Sequence, residues 1–299
     1  MSPTAWFELI ASGLITGGIY ALVGLGLNLQ YGLMRILNIA HGEFLMLGAY
    51  ATWMAHTLLG WSPLAVLPLA FAGLLLLGLV VHALTFRKLA AQAPNVDVFE
   101  ARGLMVAFGL MFLVQNFASW AWGGDLRGYD YLTTPVVIGG EGGAQFAANK
   151  LVVFGLALLF ALALMAVLRL TMLGKGVRAL MQSPTGAQLV GIDTKRLHPL
   201  MFGVGLGLSG VAGCLLSMAY TITPSMGEPY TVTALIVITL GGFGSMGGAL
   251  AGGLLLGVIE ALGMHFTNPS LKALLSYAVF IAVLLLRPEG LFTRKSRKA

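Results

Sequence analysis

Long runs without any charged residue constrain this chain more than any other feature of its sequence. No Asp, Glu, Lys or Arg occurs from Leu9 to Met34, or from Phe44 to Phe86. A helix of about 20 apolar residues crosses the hydrocarbon core of a bilayer. The whole chain is 58% hydrophobic and 9% charged, whereas soluble domains are about 25% charged. The sequence therefore predicts an integral membrane protein built from transmembrane helices.

Turn signals divide the uncharged runs into shorter segments. Gly60-Trp61-Ser62-Pro63 divides one run, and the glycine-rich stretch 241–248 divides another, although so glycine-rich a turn also suits a broken or re-entrant helix. We expect an all-α, polytopic helical bundle of 8–9 spans that forms a single domain over residues 1–299. The nine expected spans are approximately Phe7–Leu29, Glu43–Leu59, Pro63–Thr85, Gly103–Trp122, Leu151–Leu168, Leu200–Tyr220, Tyr230–Met246, Gly248–His265 and Leu271–Leu286.

The basic residues fall mainly in alternate connections between these spans. Only Arg127, Lys150 and Lys272 lie in the opposite set, so 14 of the 17 basic residues mark one side of the membrane. The positive-inside rule assigns that side to the cytoplasm, with the amino terminus outside and the carboxyl terminus inside. The same distribution explains the net charge of +6 without a nucleic-acid partner. The 14 residues are Arg35, Arg87, Lys88, Arg102, Arg169, Lys175, Arg178, Lys195, Arg196, Arg287, Arg294, Lys295, Arg297 and Lys298.

A polar group separates the first two apolar runs. It consists of Arg35, Asn38, His41 and Glu43. Each polar side chain at a bilayer centre costs roughly 2.5–3.5 kcal/mol, so a functional or pairing role is the default hypothesis. In one interpretation the group lines or closes the inner mouth of a pathway. In the other, Arg35 reaches the lipid headgroups and the remaining three residues cap or tie helices together.

Glycine is unusually frequent and often recurs at helical spacing. Among the 41 glycines are the i, i+4 pairs Gly13/Gly17 and Gly253/Gly257. Small residues at this spacing allow helix backbones to approach closely in lipid, which predicts tight packing within the chain. Alternatively, the stretch Gly241–Gly253, which includes Gly242 and Gly244, would form a flexible element beside the substrate pathway.

The inner connection 171–198 is expected to contain a short helix. Ser183 followed by Pro184 is typical of an N-cap and a first helical position. Ala187, Leu189 and Val190 supply apolar contacts, and Gly191 is a plausible end of the helix. Such a helix would lie on membrane lipid or dock into a partner protein.

Several kinds of site are excluded or disfavoured. No Walker loop with its phosphate-binding Lys-Ser/Thr pair occurs, so the chain itself is expected to bind no ATP or other cofactor. His41 and Glu43 are two residues apart and point to different helix faces, which argues against a metal site. Cys214 is expected to be a small buried residue. Glu260 and His265 would form either a proton pair or a structural hydrogen-bonding site.

Four motifs give the chain a resemblance to a known family. They are Gly-Gly-Ile-Tyr-Ala-Leu at 17–22, Asn-Ile-Ala-His-Gly-Glu at 38–43, the glycine-rich stretch 241–248, and Arg-Pro-Glu-Gly-Leu-Phe at 287–292. In this order they resemble the high-affinity branched-chain amino acid permease family, the membrane subunits of bacterial ATP-driven importers. The resemblance covers nearly the whole chain. It implies that the stretch 174–193 is a coupling helix that docks into an ATPase, although Gln182 and Ser183 stand where the family pattern has an acidic residue and asparagine.

The resemblance also implies partners and a location. It implies a bacterial inner-membrane protein that works with a homologous second permease subunit, two cytoplasmic ATPase subunits that bind ATP, and a periplasmic substrate-binding protein. Branched-chain amino acids, other amino acids, amides or small organic acids would be the substrates. The alternative is a proton-coupled secondary transporter of small solutes. A membrane enzyme is the weakest hypothesis because no convergent nucleophile, metal or acid–base set occurs.

Overall fold

The computed structural model describes residues 2–139, 143–266, 271–287 and 290–292, with the backbone alone at 272 and 273. The chain folds into a helical bundle with one small antiparallel hairpin, in which β1 (Pro135–Ile138) pairs with β2 (Ala144–Ala147). The helices are α1 (Pro3–Met34), α2 (His41–Leu59), α3 (Pro63–Leu84), α4 (Phe86–Gln92), α5 (Val96–Trp122), α6 (Ala148–Leu170), α7 (Met172–Gln182), α8 (Pro184–Leu189), α9 (Thr194–Ser217), α10 (Gly227–Gly241), α11 (Met246–Phe266) and α12 (Lys272–Leu286).

Each of the nine expected spans coincides with or overlaps a helix. The division at 60–62 is confirmed, because α2 ends at Leu59 and α3 begins at Pro63. Six helical stretches in the described chain are long and apolar enough to cross a membrane, and the apolar helix Leu274–Leu286 is shorter. The expectation for α10 was too long at its carboxyl end, since this helix stops at Gly241. The six stretches are Pro3–Met34, Pro63–Gln92, Val96–Trp122, Ala148–Leu170, Thr194–Ser217 and Met246–Phe266.

The long helix α1 lies at the centre of the bundle and packs against α6, α9, α10 and α11. Its contact with α11 is antiparallel and is made by glycines. A Cβ atom added to Gly257 would lie 2.3 Å from the carbonyl oxygen of Gly13, and one added to Gly253 would lie 2.4 Å from the Cα atom of Ala21. No side chain fits between these backbones, which confirms the packing role predicted from the glycine spacing.

The two ends of the bundle differ in charge. One end, which we call the basic face, is where α1, α3 and α6 finish and where Arg35, Arg87 and Arg169 lie. The opposite end carries the β-hairpin and is called the hairpin face. There the carboxylate of Glu8 accepts a hydrogen bond from the backbone N–H of Gln145 at 2.9 Å, which ties β2 to the start of α1. The hairpin was not predicted, because its strands are only four residues long.

Candidate functional site

The segment 35–40 turns back from the basic face into the interior of the bundle. The side chains of Asn38 and Ala40 are completely buried. Helix α2 then begins at His41, whose ring Nε2 donates a hydrogen bond to the carbonyl oxygen of Val23 at 3.2 Å. Val23 lies about three turns before the end of α1, roughly 16 Å along the helix axis. The start of α2 is therefore deep inside the bundle.

A second segment, 218–226, turns inward from the hairpin face. Ile222 pairs with Arg127 in an isolated bridge on that face, with N–H···O distances of 3.0 and 2.8 Å. Helix α10 then begins at Gly227, against the start of α2. The backbone N–H of Gly42 donates to the hydroxyl of Thr231 in α10 at 2.8 Å. Two helices thus begin next to each other in the interior, and each enters it from a different face.

Neither of these buried helix starts is capped by the side chain of its own N-cap residue, although the hydroxyl of Thr231 accepts from the N–H of Gly42 at the start of α2. The amino terminus of a helix carries a partial positive charge, so two such ends concentrate positive potential at one interior point. Discontinuous helices with ends near the middle of the membrane are the usual framework of transporter binding sites. The arrangement therefore favours a buried carboxylate of the chain itself, and Glu43 lies there.

Three of the predicted pathway residues lie at this interior point. The side chains of Asn38, His41 and Glu43 are all completely buried. The Asn38 amide donates to the side-chain oxygen of Gln30 at 3.1 Å, and Gln30 in turn donates to the carbonyl oxygen of Phe202 at 3.3 Å. These bonds tie α1, the inward segment and α9 together, as one of the two interpretations expects for Asn38 and His41.

Glu43 is different, because neither of its carboxylate oxygens has a hydrogen-bond partner among the described residues. A Cβ atom added to Gly227 would lie 2.7 Å from its Oε2 atom, so the carboxylate rests against the first residue of α10. Burial of a polar group without a partner is costly. The partial positive charge at the start of α10 offsets part of this cost, while Glu228 in the same first turn adds a negative charge nearby.

Arg35 is separated from these three residues. It is exposed at the basic face and adopts a left-handed backbone conformation with φ of 53°. Together with Tyr31, Asp97 and Phe243 it lines an open cavity of about 450 Å³. The predicted group therefore has one member at the surface and three in the interior.

The predicted glycine-rich element is a tight turn between α10 and α11 near the basic face. Gly242 and Gly244 have positive φ angles of 90° and 80°, which glycine adopts without strain. Asn28 of α1 holds the turn from both sides, since its amide donates to the carbonyl oxygen of Ser245 at 3.0 Å and its oxygen accepts from the N–H of Gly244 at 2.8 Å. A Cβ atom added to Gly241 would lie 2.4 Å from the carbonyl carbon of Gly248.

The short helix expected after Ser183 is present as α8. The hydroxyl of Ser183 accepts a hydrogen bond from the N–H of Gly186 at 3.1 Å, and Pro184 opens the helix. Leu189 and Val190 are 84% and 76% exposed, whereas Ala187 is only 3% exposed and packs into its own chain. Gly191 follows the helix with φ of 84°. The exposed apolar surface of α8 and its carboxyl end thus includes Leu189 and Val190 and excludes Ala187.

A cavity that the sequence did not indicate lies beside the first turns of α10. It has a volume of about 380 Å³ and is called the tyrosine cavity. Its residues come from distant parts of the chain, so no local motif announces it. In the sequence, Glu260 stands out as a single carboxylate in an apolar run, and Tyr20 belongs to the motif at 17–22. Its polar lining includes Tyr20, Tyr220, Tyr230, Glu260, Ser276 and Tyr277.

Within the described residues, no group of three or more His, Cys, Asp or Glu side chains is arranged to hold a metal ion. Cys214 is buried, and its thiol donates to the carbonyl oxygen of Pro63 at 3.4 Å. The site is thus made of helix ends, small residues, buried polar side chains and tyrosines.

Comparison with known proteins gives matches over nearly the whole chain. The sequence model of the family described as "Branched-chain amino acid transport system / permease component" matches residues 9–284. The chain is 30% identical to the high-affinity branched-chain amino acid transport system permease protein BraD of Pseudomonas aeruginosa, over 97% of this chain and 96% of BraD. It is also 30% identical to the LivH permease protein of Escherichia coli, over 95% of this chain and 94% of LivH.

A more distant match is the LivM permease protein of Escherichia coli. It is 25% identical over 91% of this chain and 67% of LivM. LivH and LivM carry the same description, as permease proteins of a high-affinity branched-chain amino acid transport system. Such proteins are named for transport and not for an enzymatic reaction. The chain belongs to the family of branched-chain amino acid transport system permease components.

Proposed function

We propose that this chain is a permease subunit of an ATP-driven importer that moves branched-chain or related amino acids across the bacterial inner membrane. The observation that carries the proposal is the match to permease components over residues 9–284. The buried helix starts of α2 and α10 support it, because transporters commonly place discontinuous helices beside the substrate. The chain works as one membrane domain that stabilises alternative arrangements and performs no covalent chemistry.

The working complex contains a second, related permease chain. One organism, Escherichia coli, has two permease proteins with the same system description, LivH and LivM, and both are similar to this chain. Two cytoplasmic ATPase subunits bind ATP, and a periplasmic binding protein delivers the substrate. This chain has no Walker loop, so the energy of transport comes from those partners.

Helix α8 transmits the ATPase movement to the bundle. Leu189 and Val190 project from the basic face as large exposed apolar side chains, and in an aqueous loop such residues are suited to a protein groove. Ser183, Pro184 and Gly191 set the beginning and end of this projection. Ala187 holds α8 in position, because its buried methyl group packs the helix onto the rest of the chain.

The basic face is oriented toward the cytoplasm, with the amino terminus outside and the carboxyl terminus inside. The positive-inside rule supports this orientation, since most connections at that face carry arginine or lysine. In this arrangement the chain crosses the membrane nine times, through the seven apolar helices and through α2 and α10. Because α2 and α10 begin inside the bundle, the inward segments before them form the rest of those two crossings.

The gate lies between the two inward segments. Asn38, His41 and Glu43 form its buried part, and Arg35 marks its cytoplasmic rim. Gly241, Gly242 and Gly244 form the adjacent turn, where the absence of side chains lets α10 and α11 pack closely next to the gate. A shift of α10 against α2 would alter the surroundings of Glu43, and this couples the gate to movement of the helices.

Reconstitution tests the energy source. Lipid vesicles that hold this chain, its permease partner and the ATPases should accumulate tritiated leucine only with ATP on the ATPase side and binding protein on the opposite side. Collapse of the proton gradient at constant ATP should leave the uptake unchanged. Uptake by this chain alone, driven by a pH step without ATP or binding protein, would instead establish a proton-coupled transporter.

A further inference from the structure

We propose that a small cavity at the basic face binds the phosphate group of an anionic phospholipid, and that Arg169 and Arg178 hold this phosphate. The cavity, which we call the basic cavity, lies where the end of α6, the middle of α7 and the start of α11 meet, and its lining also includes Met181, Met246 and Gly247. Its volume is about 180 Å³, below the range of roughly 300–1,000 Å³ that is usual for whole small molecules. The basic cavity is therefore suited to one chemical group of a larger ligand.

Two arginines from different helices supply the charge of the basic cavity. Arg169 is in the last turn of α6, and Arg178 is in the middle of α7. The Nη2 atom of Arg178 donates to the carbonyl oxygen of Arg169 at 3.4 Å, which keeps the two residues side by side. Lys175 lies three residues before Arg178, on the same side of α7. Guanidinium groups present planar sets of donors that match the oxygens of a phosphate.

The chain supplies no negative charge to balance these arginines. Asp and Glu are absent from residues 151–192 and 229–259, the two segments that contain the lining of the basic cavity. Among the described residues, neither Arg169 nor Arg178 forms an ion pair. The third wall is the start of α11, where the helix carries a partial positive charge as well. The basic cavity thus attracts an anion from outside the chain.

The position of the basic cavity indicates that this anion is a lipid. The stretch Ala148–Leu170 is long and apolar enough to cross a membrane, so Arg169 in its last turn lies at the level of the lipid headgroups. Leu170 and Met172 are each 80% exposed beside it, and Val167 is 49% exposed. These apolar side chains provide a surface for acyl chains. Basic pockets between membrane helices on the cytoplasmic side are typical sites for anionic headgroups.

A lipid bound here would fix the position of α7. On its inner side, α7 rests on Met181: a Cβ atom added to Gly32 of α1 would overlap the terminal methyl group of Met181, and one added to Gly244 would lie 3.5 Å from it. Only Ser183 separates α7 from α8. A phosphate held by the two arginines therefore ties the connection between α6 and α8 to the end of the bundle. This role goes beyond the proposed transport function and does not depend on the substrate.

Photolabelling tests the assignment. The chain is purified in detergent with its co-expressed partners and titrated with a phosphatidylglycerol that carries a diazirine in its acyl chain, close to the headgroup. Mass spectrometry should find the label in peptides from the end of α6 and from α7. In the double variant Arg169→Gln/Arg178→Gln, the lipid concentration for half-maximal labelling of these peptides should rise at least about tenfold, which is 1.4 kcal/mol at 25 °C.

Control variants separate lipid binding from misfolding. Both arginines are exposed, so the double variant should insert normally. Each single substitution should raise the half-maximal concentration by about threefold, which provides the same test with a smaller change to the chain. Arg87→Gln removes a positive charge at the same face but outside the basic cavity, and its labelling should equal that of the parent.

Competition identifies the source of the phosphate. Unlabelled phosphatidylglycerol should displace the probe at least about tenfold better than phosphatidylcholine with the same chains, because phosphatidylcholine has no net charge. Millimolar inorganic phosphate should not displace it, since this ion makes no contact with the apolar surface around Leu170. Equal competition by the two lipids would overturn the proposal, and displacement by inorganic phosphate would replace the lipid with a free anion.

The same variants distinguish a lipid from a protein partner. Parental labelling in Arg169→Gln/Arg178→Gln together with loss of bound ATPase would assign the two arginines to the ATPase surface and overturn the lipid site. Parental labelling without loss of ATPase would also overturn it. Labelling is measured without transport, so the result is independent of the vesicle experiment that tests the proposed function.

Discussion

The backbone of Gly42 lies against the carbonyl group of Gly227, so close that a Cβ atom at Gly42 would be 1.9 Å from the Gly227 oxygen. Two helices that enter the bundle from opposite faces meet at this contact. Because both residues lack a side chain, the helix starts touch directly and leave no opening between them. In the proposed function this contact closes the pathway, which opens when α2 and α10 move apart.

We expect Gly42→Ala to destabilise the bundle. The added methyl group would overlap backbone atoms, which cannot move aside as a flexible side chain can. Overpacking of this kind costs typically 1–3 kcal/mol, occasionally more. The measurements are the amount of protein in the membrane fraction and the thermal midpoint of the detergent-purified complex.

The matched control is Gly109→Ala in α5. Gly109 is also inside a helix, but an added Cβ atom there meets nothing within 4 Å. Helical propensity alone favours alanine by roughly 0.5–1 kcal/mol. Equal stability of Gly42→Ala and Gly109→Ala would show that the α2–α10 contact is looser than described.

A second prediction concerns Glu43, which is fully buried with no hydrogen-bond partner among the described residues. Glu43→Gln keeps the shape and removes the negative charge. Since a buried unpaired charge costs stability, the variant should reach at least the parental amount and thermal midpoint. If the charge belongs to the gate, ATP-dependent uptake should still fall by at least about fivefold. Parental uptake in this variant would remove Glu43 from the gate.

Much of the fold follows from the sequence because it depends on local rules. The absence of charges over about 20 residues indicates where long apolar helices form, and Ser183-Pro184 fixes the start of α8. Glycines at i, i+4 spacing correctly indicate close helix packing within the chain, although the structure alone shows that α1 and α11 are the helices in contact. These features are determined by residues close together in the chain.

How far inside the bundle a residue lies cannot be predicted from such local rules. His41 follows a charged residue and a run of 26 uncharged residues from Leu9 to Met34, so the sequence places it near a membrane boundary. In the structure the segment before it turns inward, and His41 bonds to the middle of α1. The tyrosine cavity is equally hidden, since Tyr20 and Glu260 are 240 residues apart and meet only through tertiary packing.

Orientation gives a third prediction. In a Cys214→Ala background, Leu189→Cys should react with a membrane-impermeant maleimide only after the cells are opened, because α8 lies on the proposed cytoplasmic side. Gly124→Cys lies in the connection at the hairpin face, where an added side chain meets nothing within 4 Å. It should react in intact spheroplasts. Labelling of position 189 from outside would reverse the proposed orientation.

The last prediction concerns ATPase docking through α8. Leu189→Asp places a charge on a side chain that is 84% exposed, so the chain should insert and fold normally. An unpaired charge in a protein interface costs several kcal/mol, so the ATPase should no longer co-purify and uptake should be lost. Quantitative immunoblotting of the affinity-purified chain measures the amount of bound ATPase.

Two further variants at the same face make the docking test specific. Ala91→Asp changes an exposed residue of α4 and should leave ATPase binding unchanged. Ala187→Asp buries the charge within the chain itself, since Ala187 is only 3% exposed. It should therefore lower the amount of folded protein before any docking takes place. If Leu189→Asp retains the parental amount of ATPase and the parental uptake, then the exposed pair Leu189 and Val190 is not the docking surface. Because insertion of each variant is measured separately, loss of docking is distinguished from loss of folding.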